Sequence, residues 1–201
     1  MKENKEQIIL EVARKQFVKN GYAGTRTEEI AREAGVTKAM VHYYFRTKEK
    51  LFDEIVRQIF SKSLFNLGKA IDTDGEIWAR IERIVEAYID TLLKEPDIPF
   101  FIMYELSQKR DSFLAEIEKH RSELPRVAYF LSQIQEEIDQ GRWHPMPPVQ
   151  ILLTIMSMTV FPFIAKPVFN TVLEFPEAFF KELMEERKQF IVAFLKQALI
   201  K

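Results

Sequence analysis

Apolar positions along this chain recur at the three-to-four-residue step of an α-helix almost from end to end. No alternating β-branched run lasts long enough to suggest a sheet, so the chain reads as all-α. The first helix is predicted over residues 4–20, stopping at Asn20-Gly21, where glycine is free to take a positive φ. Thr27 is placed to cap a short second helix reaching about Ala34, with Glu28 and Glu29 in a first turn whose dipole favours acids. Gly35 turns the chain, Thr37 caps a third helix near 38–44, and Thr47 caps a long fourth helix from Lys48 to about Ala70. A break follows at Asp72-Thr73-Asp74-Gly75. Further helices are expected over about 75–94, in shorter pieces over 99–119, from about 122 to Gln140-Gly141, and over about 148–170 and 176–200. Pro96, Pro99, the cluster Pro145-Met146-Pro147-Pro148 and Pro176 punctuate them.

Residues 27–45 have the layout of a helix-turn-helix: a short helix, a glycine turn, a second short helix. Ile30, Ala34, Val36, Val41 and Phe45 fall where the two helices and their neighbours bury them, and Ala31 is small where they approach closely. Lys38, Ala39, Met40, His42 and Tyr43 are then left outward on the second helix, with Tyr44 half in the core. A DNA major groove accommodates such a surface. Lys38 is suited to guanine O6 or N7, and Ala39 and Met40 to a thymine methyl. His42 and Tyr43 are suited to phosphate oxygens, and Lys48 adds a cation at the start of the next helix. Thr25, Arg26 and Thr27 stand where a clamp on the DNA backbone is expected.

Charge distribution agrees. The first 50 residues carry eleven Lys and Arg against seven Glu and no Asp, a balance of +4 in a chain whose total is −1. The basic end is the one with the helix-turn-helix pattern, as expected of a segment meeting a polyanion. With no cysteine among 201 residues, disulfides, thiolate metal sites and thiol nucleophiles are excluded. The charged start, Met1 to Glu6, lacks the apolar stretch of a secretory signal, so a cytoplasmic protein is expected. Pro145 to Ala165 is free of formal charge over 21 residues. Polar residues and prolines interrupt it and no basic flank marks a cytoplasmic side, so a buried helix is expected there and no membrane partner. His120 four residues after Glu116, and His144 beside Trp143, have the spacing of ordinary solvated faces; neither a metal nor a cofactor is expected. No nucleophile–base motif, phosphate-cradling glycine loop or paired-acid signature occurs, and the chain is not read as an enzyme.

The stretch GYAGTRTEEIAREAGVTKAMVHYYFRTKEKLF resembles the DNA-binding domain of the TetR family of transcriptional regulators. The likeness is carried by Gly21-Tyr22, Thr25 to Thr27, Ile30-Ala31, Ala34-Gly35-Val36, Thr37 to Phe45 and Lys48 to Leu51. Two positions depart from the usual pattern. Ala39 stands where glycine is common, which slightly crowds the closest approach to DNA, and His42 stands where tyrosine is commoner.

The resemblance implies a helix-turn-helix DNA-binding domain over residues 1–47, with DNA contacts from Thr25, Arg26, Thr27, Thr37, Lys38, Ala39, Met40, His42, Tyr43 and Lys48. It implies a long fourth helix joining this to a larger helical ligand-binding and dimerisation domain over residues 48–201. Dimerisation is expected through the last two helices. The apolar stripe Phe180, Leu183, Met184, Phe190, Ile191, Phe194, Leu195 and Ala198 is consistent with that. An apolar or aromatic small-molecule effector is expected among Tyr88, Phe101, Tyr104, Phe113, Phe130 and Met156. The implied function is that of a repressor holding a palindromic double-stranded DNA operator as a homodimer until the effector binds. The competing reading is a helical small-molecule or lipid-binding protein without DNA activity.

Overall fold

The structure is a computed structural model that describes residues 2–71, 75–108, 110–119 and 126–201. Their helices run in the order α1 (Lys2–Gly24), α2 (Thr27–Glu33), α3 (Lys38–Phe45), α4 (Lys48–Ile71), α5 (Ile77–Lys94), α6 (Ile98–Gln108), α7 (Arg110–Lys119), α8 (Val127–Asp139), α9 (Pro148–Ile164), α10 (Lys166–Val172) and α11 (Glu177–Leu199). The only β pairing among the described residues is an isolated bridge between Trp143 and Ile200. Most of the predicted break at 72–75 lies outside the described residues.

The signals read from the sequence account for most helix ends. Gly21, with φ 67° and ψ 177°, interrupts α1 where its stop is expected. At the end of α2 the Val36 N–H donates to Ala31 O at 2.9 Å and the Gly35 N–H to Arg32 O at 3.2 Å, with Gly35 at φ 64°. These two bonds satisfy carbonyls that the helix leaves open, in a turn that a left-handed glycine permits. Thr37 caps α3 by accepting from the Met40 N–H, and the Thr47 hydroxyl accepts from Lys50 N–H at the start of α4. Thr27 departs from expectation: it is the first residue of α2, and the extended cap position is Arg26, which makes no side-chain cap bond.

The helix expected over 148–170 is two helices. It breaks at Ala165, and α9 and α10 are bent by 56° to one another. Pro167 explains the break, because it has no N–H to continue the helical ladder. Among the described residues no single helix is long and apolar enough to cross a membrane.

The chain packs as two compact units, residues 1–62 with 100–122 and residues 63–99 with 123–201. The first has a core of Ile9, Ala13 and Phe17 from α1, Ile30 and Ala31 from α2, Val41 and Phe45 from α3, and Leu51, Phe52 and Ile55 from α4. Phe52 joins its aromatic layer edge-on to Phe17, Tyr22 and Phe101, with centroids 5.0–6.0 Å apart.

In the second unit Ile77, Ile81, Ile84, Val85, Ile89 and Leu92 form a buried stripe on α5 against α9 and α11. Helix α11 carries two apolar stripes. Phe180, Met184, Ile191, Leu195 and Leu199 face the unit's own core, whereas Phe179, Phe190 and Phe194 remain exposed. On α9, Val149, Leu153 and Met156 form an exposed row at steps of four and three.

Candidate nucleic-acid interface

Helix α3 is only eight residues long, too short to be stable alone, and its neighbours hold it. Val41 and Phe45, four residues apart, bury one side against α2 and the rest of the first unit. The opposite side points outward. Lys38, Ala39, His42 and Tyr43 are exposed, Met40 and Tyr44 half-buried, and Tyr43 retains 56% of its surface. Tyr43 and Tyr44 meet edge-on at 5.3 Å, which holds the Tyr43 ring upright without covering it. The outward row is the one the sequence pattern selects, except that Met40, expected outward, is half-buried.

Beside this row lies a depression of about 140 Å³ lined by Thr27, Lys38, Val41, His42, Arg46, Thr47 and Lys48. Four basic side chains and two hydroxyls thus converge from α2, α3 and the start of α4 on one apolar floor residue. Lys38 is paired with Glu28 across the α2–α3 turn. The hydrogen bond from Lys38 holds the exposed Glu28 carboxyl below the usual carboxylate range. Lys48 is half-buried, with Nζ 4.3 Å from the centroid of Tyr22. The Tyr22 hydroxyl in turn donates to Glu49. Burial, and then the hydrogen bond to Glu49, push that hydroxyl above the ordinary phenol range, so it remains a donor.

Arg46 was missed by sequence reasoning, and Thr47 was read only as a helix cap and not as part of this surface. Arg46 has φ 63° and ψ −56°, and the Thr47 N–H donates across it to Phe45 O at 2.7 Å. This is a γ-turn of the strained hand. It joins α3 to α4 with almost no intervening chain and carries an exposed arginine. A basic residue wedged between two capped helices was the available signal.

Thr25 is placed differently from Arg26 and Thr27. It is buried, and its hydroxyl bonds to Gly21 O at 2.8 Å and Gln16 O at 3.1 Å, which ties the end of α1 to the entry of α2. Arg26 is exposed and Thr27 half-buried. The kink at Gly21 is also held from α6. The buried Glu105 carboxylate accepts from the Tyr22 N–H at 2.9 Å, and a Cβ at Gly21 would lie 2.8 Å from Tyr104 Cε1.

The expected effector residues are divided between the two units. Phe101 and Tyr104 belong to the first unit, where they pack on Phe52 and Gly21. Tyr88, Phe130 and Met156 belong to the second. There Phe130 is fully buried, Tyr88 is half-buried against the core with burial raising its hydroxyl pKa, and Met156 is in the exposed α9 row. The predicted contact at Phe113 lies outside the described side chains, as does His120.

Comparison with known proteins gives this geometry a context. Residues 9–55 match the family model of bacterial regulatory proteins, tetR family. The chain is 25% identical over 157 residues to the uncharacterized HTH-type transcriptional regulator YhgD of Bacillus subtilis, covering 78% of this chain and 81% of that one. It is 27% identical over 155 residues to the HTH-type transcriptional regulator RutR of Escherichia coli K12, covering 77% and 72%. Among solved structures, a mutant of HlyIIR superimposes with a TM-score of 0.67 at 25% identity, covering 96% of this chain and 97% of that one. The match to the family model falls on the helices that build the outward α3 surface, and the helical architecture extends the likeness over the remainder: the chain carries the helix-turn-helix domain of the tetR family of bacterial regulatory proteins and is similar beyond it to transcriptional regulators.

Proposed function

We propose that the protein is a repressor that binds a palindromic operator as a homodimer and is released by a small molecule. The observation that carries this reading is the outward α3 row, Lys38, Ala39, Met40, His42 and Tyr43, beside a depression ringed by Lys48, Arg46, Thr27 and Thr47. Tyr43, with more than half of its surface exposed on an otherwise well-packed unit, is placed to donate its hydroxyl to the phosphate backbone. Lys38 exchanges Glu28 for guanine O6 or N7 on entering the major groove. Thr37 and Thr27 flank the groove with hydroxyls, and Arg26 adds a cation at the entry to α2. Thr25 acts from behind, by fixing α2 to the end of α1.

Two copies are needed to read two half-sites about 34 Å apart. The exposed rows Val149, Leu153, Met156 on α9 and Phe179, Phe190, Phe194 on α11 support a four-helix seam between subunits. Residues 1–47 then hold the reading head. Residues 48–201 provide dimerisation and the effector site, with α4 common to both units as the transmitting element. The effector is an otherwise apolar molecule seated near Tyr88 and Phe130, and it acts without a metal or cofactor. It weakens operator binding only as far as it binds the two states unequally; a tenfold change needs about 1.4 kcal/mol. The site of action is the cytoplasm, where operator DNA is found.

Selection of bound sites from a random duplex pool, repeated with Tyr43→Ala and Lys48→Ala, tests the reading. Enrichment of a two-fold symmetric sequence by the wild type, lost in both variants, is expected. A pool that stays random, from protein that still binds apolar ligands, would make it a helical binding protein without DNA activity.

A further inference from the structure

The second unit buries positive charge that nothing among the described residues neutralises. Arg80, in the first turns of α5, is 2% exposed. Its guanidinium donates to Ile71 O at the end of α4 and to the amide oxygen of Gln133 on α8, and lies 5.5 Å from the centre of the Phe130 ring. All three partners are neutral. Arg83 follows one helical turn later on the same face, half-buried. The Nε of Arg80 and the Nε and Nη2 of Arg83 are buried without any acceptor.

Buried cations are ordinarily paired with an acid or bound to an anion. The end of α4 offers roughly half an elementary negative charge, and the ring face and the amide offer dipoles. Two guanidinium groups exceed that supply. Their neighbours Ile71, Ile77, Phe130 and Ile134 are apolar and buried, so the surroundings suit the body of an apolar molecule and only the head needs charge.

We infer that Arg80 and Arg83 form the anchor for the carboxylate of an effector whose remainder is apolar, which rests on the ligand-responsive reading above and specifies its ligand. A guanidinium fork matches a carboxylate edge with two parallel N–H donors. Gln133 is the gate. Its oxygen occupies a donor of Arg80, and its amide nitrogen is 3.2 Å from the hydroxyl of Tyr129, a residue 54% exposed. A carboxylate entering past Tyr129 displaces the Gln133 oxygen and replaces a neutral hydrogen bond with charge-assisted ones. Because Arg80 also holds the last carbonyl of α4, binding at its guanidinium acts directly on the end of that helix.

The test titrates the full-length protein with decanoate against decanol, and with 2-naphthoate against methyl 2-naphthoate. Calorimetry gives affinity, and the fluorescence of Trp78, two residues from Arg80, reports decanoate and decanol locally. Each carboxylate is expected to bind at least tenfold tighter than its neutral counterpart. Arg83→Gln should remove that preference, bringing each carboxylate to the affinity of its neutral counterpart. Arg80→Lys, which keeps the charge and loses the fork, should remove most of it in a protein of unchanged helicity. Equal affinity for charged and neutral probes, no binding of either carboxylate, or an intact preference in both variants would overturn the site. So would an internal counter-ion. If the doubly substituted Asp72→Asn/Asp74→Asn protein loses stability equal to that lost by Arg83→Gln, and the combined variant loses no more, the charge is already met within the chain. Operator binding measured in parallel keeps the two readings separate. Release from DNA by the neutral probes alone refutes the carboxylate anchor and leaves the repressor. Carboxylate-selective binding without any DNA binding does the reverse.

Discussion

Replacing Arg46 with glycine should make the protein more stable and a poorer DNA binder. Arg46 sits at φ 63°, ψ −56°, in a γ-turn closed by the 2.7 Å bond from Thr47 N–H to Phe45 O. An L-residue held in such a conformation costs about 1–3 kcal/mol. Glycine adopts it freely but loses more chain entropy on folding, about 0.5–1 kcal/mol. The side chain is exposed, so no core contact is lost. The net expectation is a stabilisation of about 0.5–2 kcal/mol, read as a higher urea midpoint at unchanged slope.

DNA binding should move the other way. Each phosphate contact contributes about 0.9 to the slope of log K against log salt, and thus about 0.9 decade of affinity at 0.1 M salt. In the proposed dimer two copies are lost, so the slope should fall by about 1.8. Arg46→Ala is the control: it removes the charge and keeps the strain, so affinity falls as in the glycine variant without the gain in stability. Fluorescence anisotropy of a labelled operator across a salt series, with urea melts of the same samples, measures both quantities. A glycine variant less stable than wild type would refute the strain argument, and an unchanged salt slope would remove Arg46 from the interface.

Three further outcomes follow from other sites. Gly21→Ala places a Cβ 2.8 Å from Tyr104 at a φ of 67° with extended ψ, and should cost about 2–4 kcal/mol from backbone strain and overpacking together; combining it with Tyr104→Ala should restore only the packing part, and full restoration would mean that the backbone is not strained. The hydrogen bond from Arg142 holds the Glu137 carboxyl below its usual range, so its contribution is present above the unfolded value near pH ~4.3 and vanishes as pH falls through the lower folded value. Glu137→Gln should therefore differ from wild type by less than ~1 kcal/mol in urea melts at pH 7 and not at all at the acid end; a difference that grows on acidification contradicts the sign. Phe190→Glu with Phe194→Glu should halve the mass seen by sedimentation while leaving helicity intact, and a dimer that persists would move the seam elsewhere.

Much of the reading head was legible because its signals are local. A glycine turn, two threonine caps and apolar positions four apart fixed the two short helices, and elimination left Lys38, His42 and Tyr43 outward. Thr25 and Thr27 look alike in the sequence, yet one is buried against α1 and the other begins α2; only the packing on α1, with hydroxyl bonds four and nine residues back, distinguishes them. Arg46 was missed because a strained φ has no residue-type signature outside glycine and asparagine. The effector residues were the least legible. Aromatic side chains chosen by size and type belong to two different units, and in the first of them Phe101 packs on Phe52 and Tyr104 lies against Gly21. The same ambiguity affected α11, where one apolar pattern concealed an inward stripe and an outward one.

The central claim is that the exposed face of α3 binds duplex DNA. Its most direct measurement is the anisotropy of a labelled duplex enriched from a random pool, titrated at low ionic strength with wild type and with Tyr43→Ala, a variant whose 56% exposed side chain can be removed without loss of fold. Saturable binding that weakens steeply with salt, and that is reduced at least tenfold in a Tyr43→Ala protein melting like wild type, is the result expected. Binding by both proteins with the same affinity, or by neither to any duplex, would contradict it.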